Sequence, residues 1–274
     1  MLQTVLVPNA EFKIFNIDKN EYVKQYTTYP SNVEHTSFFT DEDGDLILPE
    51  ALKIGNYRIE EVTAPDGYTI NKNYVEIKVD SDTLYQIDPI SGDAIIEVVY
   101  ENHPVKGELT VVKKGEVLKD YGKDFKYEME NLAGAVFAIY AAEDIYTADF
   151  QKDDAGNRIL EYAKDALVTE LTTDETGSAT IKNLPLGNYK VVEKTAPDGF
   201  VHNGTEQNVQ YVYVDQNTPV VVESVEFINE RQKVEISVEK QDAENGSTIA
   251  GAEFGLYAKE DIKAGEKVIV KADE

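Results

Sequence analysis

Apolar side chains recur at every second position along several stretches of the chain. Leu109, Val111 and Lys113 share one parity, and Ile236, Val238 and Lys240 share another in the same order. Period-two alternation predicts strands with one buried face. Two further runs, from Tyr74 to Val79 and from Tyr211 to Val214, are rich in β-branched and aromatic residues and predict two more strands. Pro-Asp-Gly at 65–67 and 197–199 marks turns, as do Gly44 and Gly177 after Thr40-Asp41 and Thr173-Asp174. Many short strands separated by Gly/Pro turns predict an all-β sandwich. Residues 141–145 and 159–166 are the exceptions, read here as short helices.

The pattern repeats. Gly55, Tyr57, Glu61, Ala64, Pro65, Gly67 and Tyr68 return without a gap as Gly187, Tyr189, Glu193, Ala196, Pro197, Gly199 and Phe200. A second block occurs three times: Ala10, Phe12, Ile14 and Phe15; Ala135, Phe137, Ile139 and Tyr140; Ala252, Phe254, Leu256 and Tyr257. A third places Asn102 as far before Lys113 as Asn229 lies before Lys240. These registers divide the chain into residues 1–104, 105–232 and 233–274. The first copy is expected to lack its opening strand and the third to stop before its Gly-Asn-Tyr block, so the N- and C-terminal copies are read as truncated.

Charge narrows the partners. The 274 residues carry 26 Lys+Arg against 52 Asp+Glu, a formal net charge of −26, which opposes nucleic acid and anionic membrane surfaces. At 42% hydrophobic and 10% aromatic the chain has ordinary core material. It has no Cys, so no disulfide, thiolate metal site or Cys nucleophile. His35, His103 and His202 are too few and scattered for a His-rich metal site or a Ser-His-Asp triad. No stretch approaches the length of a membrane span, and Met1-Leu2-Gln3-Thr4 lacks the shape of a signal peptide. Asp41, Glu42, Asp43 and Asp45 invite a calcium reading, but the Gly44 spacing is wrong for an EF-hand and the aligned 173–177 segment has fewer acids, so a turn is expected. Paired carboxylates at glycosidase spacing arise by chance among so many acids. No cofactor or metal is expected.

Taken together, these blocks resemble the B-type repeat domains of Gram-positive collagen adhesins and the related domains of pilin shafts. The resemblance covers nearly the whole chain. It rests on a first strand ending in Lys, Gly-Ala-x-Phe-x-Ile/Leu-Tyr, a Thr-Asp-x-x-Gly turn, the Glu-to-Ala-Pro-x-Gly-Tyr/Phe block and a closing strand ending in Asn. It implies tandem immunoglobulin-like (prealbumin-like) β-sandwiches whose first and last strands lie side by side. It also implies a self-made isopeptide bond between a Lys and an Asn, assisted by a Glu. On matching positions these are Lys113, Asn229 and Glu193, with Lys114 the competing nucleophile; Lys113 is preferred because it shares the parity of Leu109 and Val111. A surface salt bridge with a capping Asn is the competing reading of the same residues.

The chemistry asks for these types together. A Lys amine attacks a carboxamide only when neutral, which burial favours, and a Glu protonated by the same burial can polarise the Asn229 carbonyl and move protons as ammonia leaves. The event occurs once per molecule, so the protein is not expected to be an enzyme. Copy one has Glu61 and Asn102 without an aligned Lys, and copy three has Lys240 without Glu or Asn; both are expected to be unlinked. The implied function is a structural stalk of a bacterial surface adhesin or pilus, extracellular and attached to the cell wall, with neighbouring repeats as partners. The alternative is an adhesive module for host extracellular matrix protein or glycan, with residues 22–39 and 115–132 as first candidates.

Overall fold

The structure is a computed structural model that describes residues 7–81, 85–87, 92, 94–122, 124–147, 152–264 and 266–274. The reading of Met1-Leu2-Gln3-Thr4 lies outside these residues. Every regular element among them is a β-strand, and they form tandem immunoglobulin-like units.

The central unit is built around a long strand, Lys106–Tyr121, in which burial alternates through Gly107, Leu109, Val111, Lys113 and Gly115. One edge takes two antiparallel partners, Ser178–Leu184 beside its first half and Phe125–Asn131 beside its second. The other edge takes Val220–Asn229, the closing strand, in parallel, with Lys113 opposite Phe227 and Gly115 opposite Asn229. A second sheet runs in the order Leu167–Thr172, Val136–Ala141, Gly187–Thr195, Glu206–Tyr211. The inward faces of both sheets meet in one core that includes Leu109, Val111, Phe137, Ile139, Val191 and Phe227.

The first unit has a sheet of Glu21–Tyr22, Glu11–Asn16, Gly55–Thr63 and Tyr74–Val79, with Phe38–Phe39 also on Glu11–Asn16. Its buried cluster is smaller, centred on Ile14, Phe38 and Tyr57. Gln216 joins the units: its side-chain oxygen accepts from the Ala64 N–H at 2.8 Å, and its backbone oxygen accepts from the Ile70 N–H at 2.9 Å.

Three expectations are corrected. Residues 141–145 and 159–166 hold no helix: Ala141 ends a strand opposite Tyr189, and Ile145–Tyr146 pairs with Leu160–Tyr162 while Ile145 is buried in the core. Segments this short cannot hold a helix on alanine propensity when strand pairing and a core site compete. The strand expected through Val214 ends at Tyr211. Ile236 to Lys240 forms no strand, and Val234, Ile236 and Val238 are exposed, because no described strand lies beside them to complete a ladder.

Candidate functional site

Lys113, Asn229 and Glu193 converge between the two sheets of the central sandwich, where the closing strand ends. Lys113 and Asn229 come from adjacent strands of one sheet, while Glu193 comes from the other, at the third inward position after Tyr189 and Val191. All three are sealed from solvent, at 0%, 1% and 1% exposure. Period-two alternation sends Lys113 inward, and the same pleat sends Lys114 outward, where its ammonium meets Glu226 at 2.7 Å on the open face.

The three polar groups satisfy one another. Lys113 Nζ donates to Asn229 Oδ1 and lies 2.9 Å from Glu193 Oε1. Asn229 Nδ2 donates to both Glu193 oxygens, at 3.1 and 3.0 Å. Glu193 therefore meets the amide nitrogen, whereas the sequence reading had it polarising the carbonyl. Burial pulls the Lys113 amine below its ordinary value, and the neighbouring Glu193 opposes that pull. The arrangement holds an amine, a carboxamide and a carboxylate in mutual contact in a sealed core.

Copy one keeps part of this. Glu61 is buried, and Asn102 Nδ2 donates to its two oxygens at 2.9 and 2.8 Å. The carboxylate is completed by the backbone N–H of Asn71 at 2.6 Å. Burial pushes the Glu61 carboxyl up, with the Asn71 and Asn102 hydrogen bonds opposing. Lys240 is exposed and its neighbourhood contains neither partner type in aligned position.

Two supporting features escaped the sequence reading. Thr173 is buried and ties the turn to the second sheet, accepting from the Ala135 N–H at 3.1 Å and donating to Leu132 O at 2.8 Å; Thr40 does the same for Ala10 and Val7 in copy one, both at 2.9 Å. Their matched place in the Thr-Asp-x-x-Gly blocks was the available signal. His202 Nε2 sits 2.7 Å from the Glu193 backbone oxygen. The acidic turns are turns: Asp41 Oδ1 accepts from the N–H groups of Asp43 and Asp45, and Asp174 Oδ1 does so from Thr176 and Ser178.

The model of the SpaA prealbumin-like fold domain family matches residues 3–91 and 123–226. The chain belongs to this family. As a SpaA-type prealbumin-like protein it is also similar to several solved structures. One is the TIE protein of Bacillus anthracis, 25% identical, with 82% of this chain and 31% of that one covered at a TM-score of 0.44. Others are GBS52, the minor pilin of Streptococcus agalactiae (15% identical, 87% and 89% covered, TM-score 0.33), and the shaft pilin SpaA of Lactobacillus rhamnosus GG (16%, 84% and 90%, 0.31). The chain thus spans 31% of the length of the TIE protein. No curated protein matches it.

Proposed function

We propose that residues 105–232 form a self-cross-linking spacer repeat of a Gram-positive surface pilus or adhesin, flanked by repeats at 1–104 and 233–274. The observation that carries the reading is the sealed contact of Lys113, Glu193 and Asn229. Family membership and the resemblance of the sequence blocks to B-type and pilin-shaft repeats support the setting.

A buried ammonium–carboxylate pair can neutralise itself by moving one proton, and a low dielectric favours the neutral pair. Glu193 takes that proton from Lys113, leaving a free amine against the Asn229 carboxamide. The amine attacks Cγ, the Nζ–Cγ bond forms and the Cγ–Nδ2 bond breaks. Nζ gives up two protons in all: one leaves on Nδ2 as ammonia, delivered by the Glu193 oxygens that face both nitrogens, and one stays on Glu193. Adjacent strands supply the proximity that makes amide exchange feasible. Linking residues separated by 116 positions contributes about 5 kcal/mol in the chain-entropy account. A tie between first and last strands also carries tension past the sandwich.

Proteolytic mapping tests this. The expected product is a branched peptide joining the Lys113 and Asn229 segments; separate linear peptides containing unmodified Lys113 and Asn229 would refute it.

A second reading has its own observation. The hairpin of Gln25–Thr27 and Val33–His35 is pinned by Gln25, whose amide bonds the Glu50 backbone at 2.7 and 3.0 Å, and it presents Tyr26 and Tyr29, the latter 89% exposed. Exposed aromatics on an anchored hairpin suit an adhesive contact with matrix protein or glycan. Saturable binding to a matrix array, lost in Tyr26→Ala/Tyr29→Ala, supports it; unchanged binding in that variant counts against it.

A further inference from the structure

The Ala-Pro-Asp-Gly-Phe block was read from sequence as a turn, and its place in the fold gives it more to do. The Phe200 N–H closes the turn onto Pro197 O at 3.1 Å. The chain then runs beside the segment that follows Asn229: Val201 N–H donates to Glu230 O and Gln232 N–H donates to Gly199 O, both at 2.9 Å, and Phe200 bridges Arg231. The turn is thus laced across the end of the closing strand.

Its side chains reach the shoulders of the buried site. Gly115 lies two positions beyond Lys113 on the same inward parity and opposite Asn229 in register. A methyl group added at Gly115 would stand 2.6 Å from the edge of the Phe200 ring, 2.6 Å from Leu132 Cδ1 and 2.9 Å from the Asn229 backbone oxygen. Those approaches are closer than carbon tolerates, so the absent side chain is the seat into which Phe200 and Leu132 fit. From outside, the Arg231 guanidinium covers the Phe200 ring at 5.7 Å, and it also covers the Tyr127 ring at 5.9 Å. At the other shoulder is the His202 contact with the Glu193 carbonyl.

We propose that residues 197–202 are a lid over the cross-link site, with Phe200 as the plug, Gly115 as its seat and Arg231 as its outer clamp, and that this closure keeps water from the reacting amine. The inference rests on the cross-link reading above. Phe200 touches none of the reacting atoms in this account; it is a positioning residue that acts by holding Lys113 dry. Copy one shows the same lacing independently. Tyr68, aligned with Phe200, is buried, closes onto Pro65 O at 3.1 Å and bridges Pro104, while Thr69 and Val105 N–H groups donate to His103 O and Gly67 O.

The physical consequence falls on the amine. Water admitted beside Lys113 solvates the ammonium and returns the amine toward its ordinary value, and each unit of that return lowers the neutral fraction at neutral pH about tenfold. The titratable and charged groups around the amine are Glu193 across the core, His202 beyond it on the lid, and Arg231 outside Phe200, where its guanidinium donates to the Glu116 backbone carbonyl; the Glu116 carboxylate meets Lys233, and Lys114 and Glu226 pair on the opposite face.

The test follows ammonia loss by intact mass in the full chain, over time after isolation, at mildly acidic, neutral and alkaline pH. Wild type is expected to be fully converted at isolation. Phe200→Ala is expected to be incompletely converted, with the remainder reacting about tenfold or more slowly at neutral pH and faster as pH rises; Phe200→Leu, which restores an apolar plug, is expected to recover neutral-pH conversion. Gly115→Ala displaces the plug from its seat and is expected to behave as Phe200→Ala, so it carries the same outcomes should Phe200→Ala not fold. Complete conversion of these variants at isolation, or a slow reaction with no dependence on pH, overturns the lid. A wild-type chain at full sequence mass overturns the cross-link reading instead, which keeps the two failures distinct.

Discussion

Glu193 and Glu61 occupy the same place in two copies of one sequence block, yet they sit in different company. Glu193 faces an amide nitrogen and a lysine amine, and among the described residues its carboxylate takes no hydrogen bond from the backbone. Glu61 faces an amide nitrogen and takes its other hydrogen bond from the Asn71 backbone. The strand that carries Asn229 runs for ten residues in parallel register with the lysine strand, whereas Tyr100 and Asn102 lie outside any strand. A buried carboxylate needs hydrogen-bond donors. Copy two supplies a lysine amine and copy one a backbone N–H, so under the proposed cross-link the same glutamate takes part in chemistry in one and is only satisfied in the other.

The contrast is widest under load. In single-molecule extension of the full chain, residues between 113 and 229 are expected to stay unextended at forces that unravel copy one. Release of that length in wild type would erase the difference. Lys113→Ala should make copy two extensible and destabilise it by more than about 5 kcal/mol in chemical unfolding, since it removes the tie and leaves Glu193 uncompensated in the core. Glu61→Gln should cost only about 1 kcal/mol, because hydrogen bonds around a group without a charged partner are rearranged. Equal losses in the two variants would show that the sites are alike.

The dependence on pH should separate the copies by sign. A carboxyl raised on folding adds stability that is whole below the ordinary glutamate value and is lost as pH rises through its folded value, so Glu61 favours copy one on the acid side of that window. A lysine lowered on folding adds stability that is whole above the ordinary lysine value and is lost as pH falls through its folded value. In Asn229→Ala the amine survives, and copy two should grow more stable between that folded value and the ordinary one. Wild type, its amine consumed, should show no such rise in thermal unfolding across alkaline pH. The smallest effect is expected at Lys114→Ala, which breaks a solvent-exposed pair worth less than about 1 kcal/mol and leaves ammonia loss intact.

Much of this was legible because strand chemistry has a short period. Alternation from Leu109 was enough to turn Lys113 inward and Lys114 outward, and the family resemblance, carried onto the aligned blocks, pointed to Glu193 and Asn229. What sequence concealed was non-local. Whether residues 141–145 become helix or strand depends on Tyr189 and Tyr162, far along the chain. Ile236 to Lys240 repeats the pattern of a first strand, but a strand needs an edge to join. The contact of Glu193 with the amide nitrogen, and the seat that Gly115 offers to Phe200, depend on side-chain orientation across two sheets, which no periodicity encodes.

The most direct measurement is the intact mass of the full chain beside its Lys113→Ala variant. The account predicts a wild type lighter than its sequence by one ammonia and a variant at its full sequence mass. A wild type at full mass, or a variant that still loses ammonia, would contradict it.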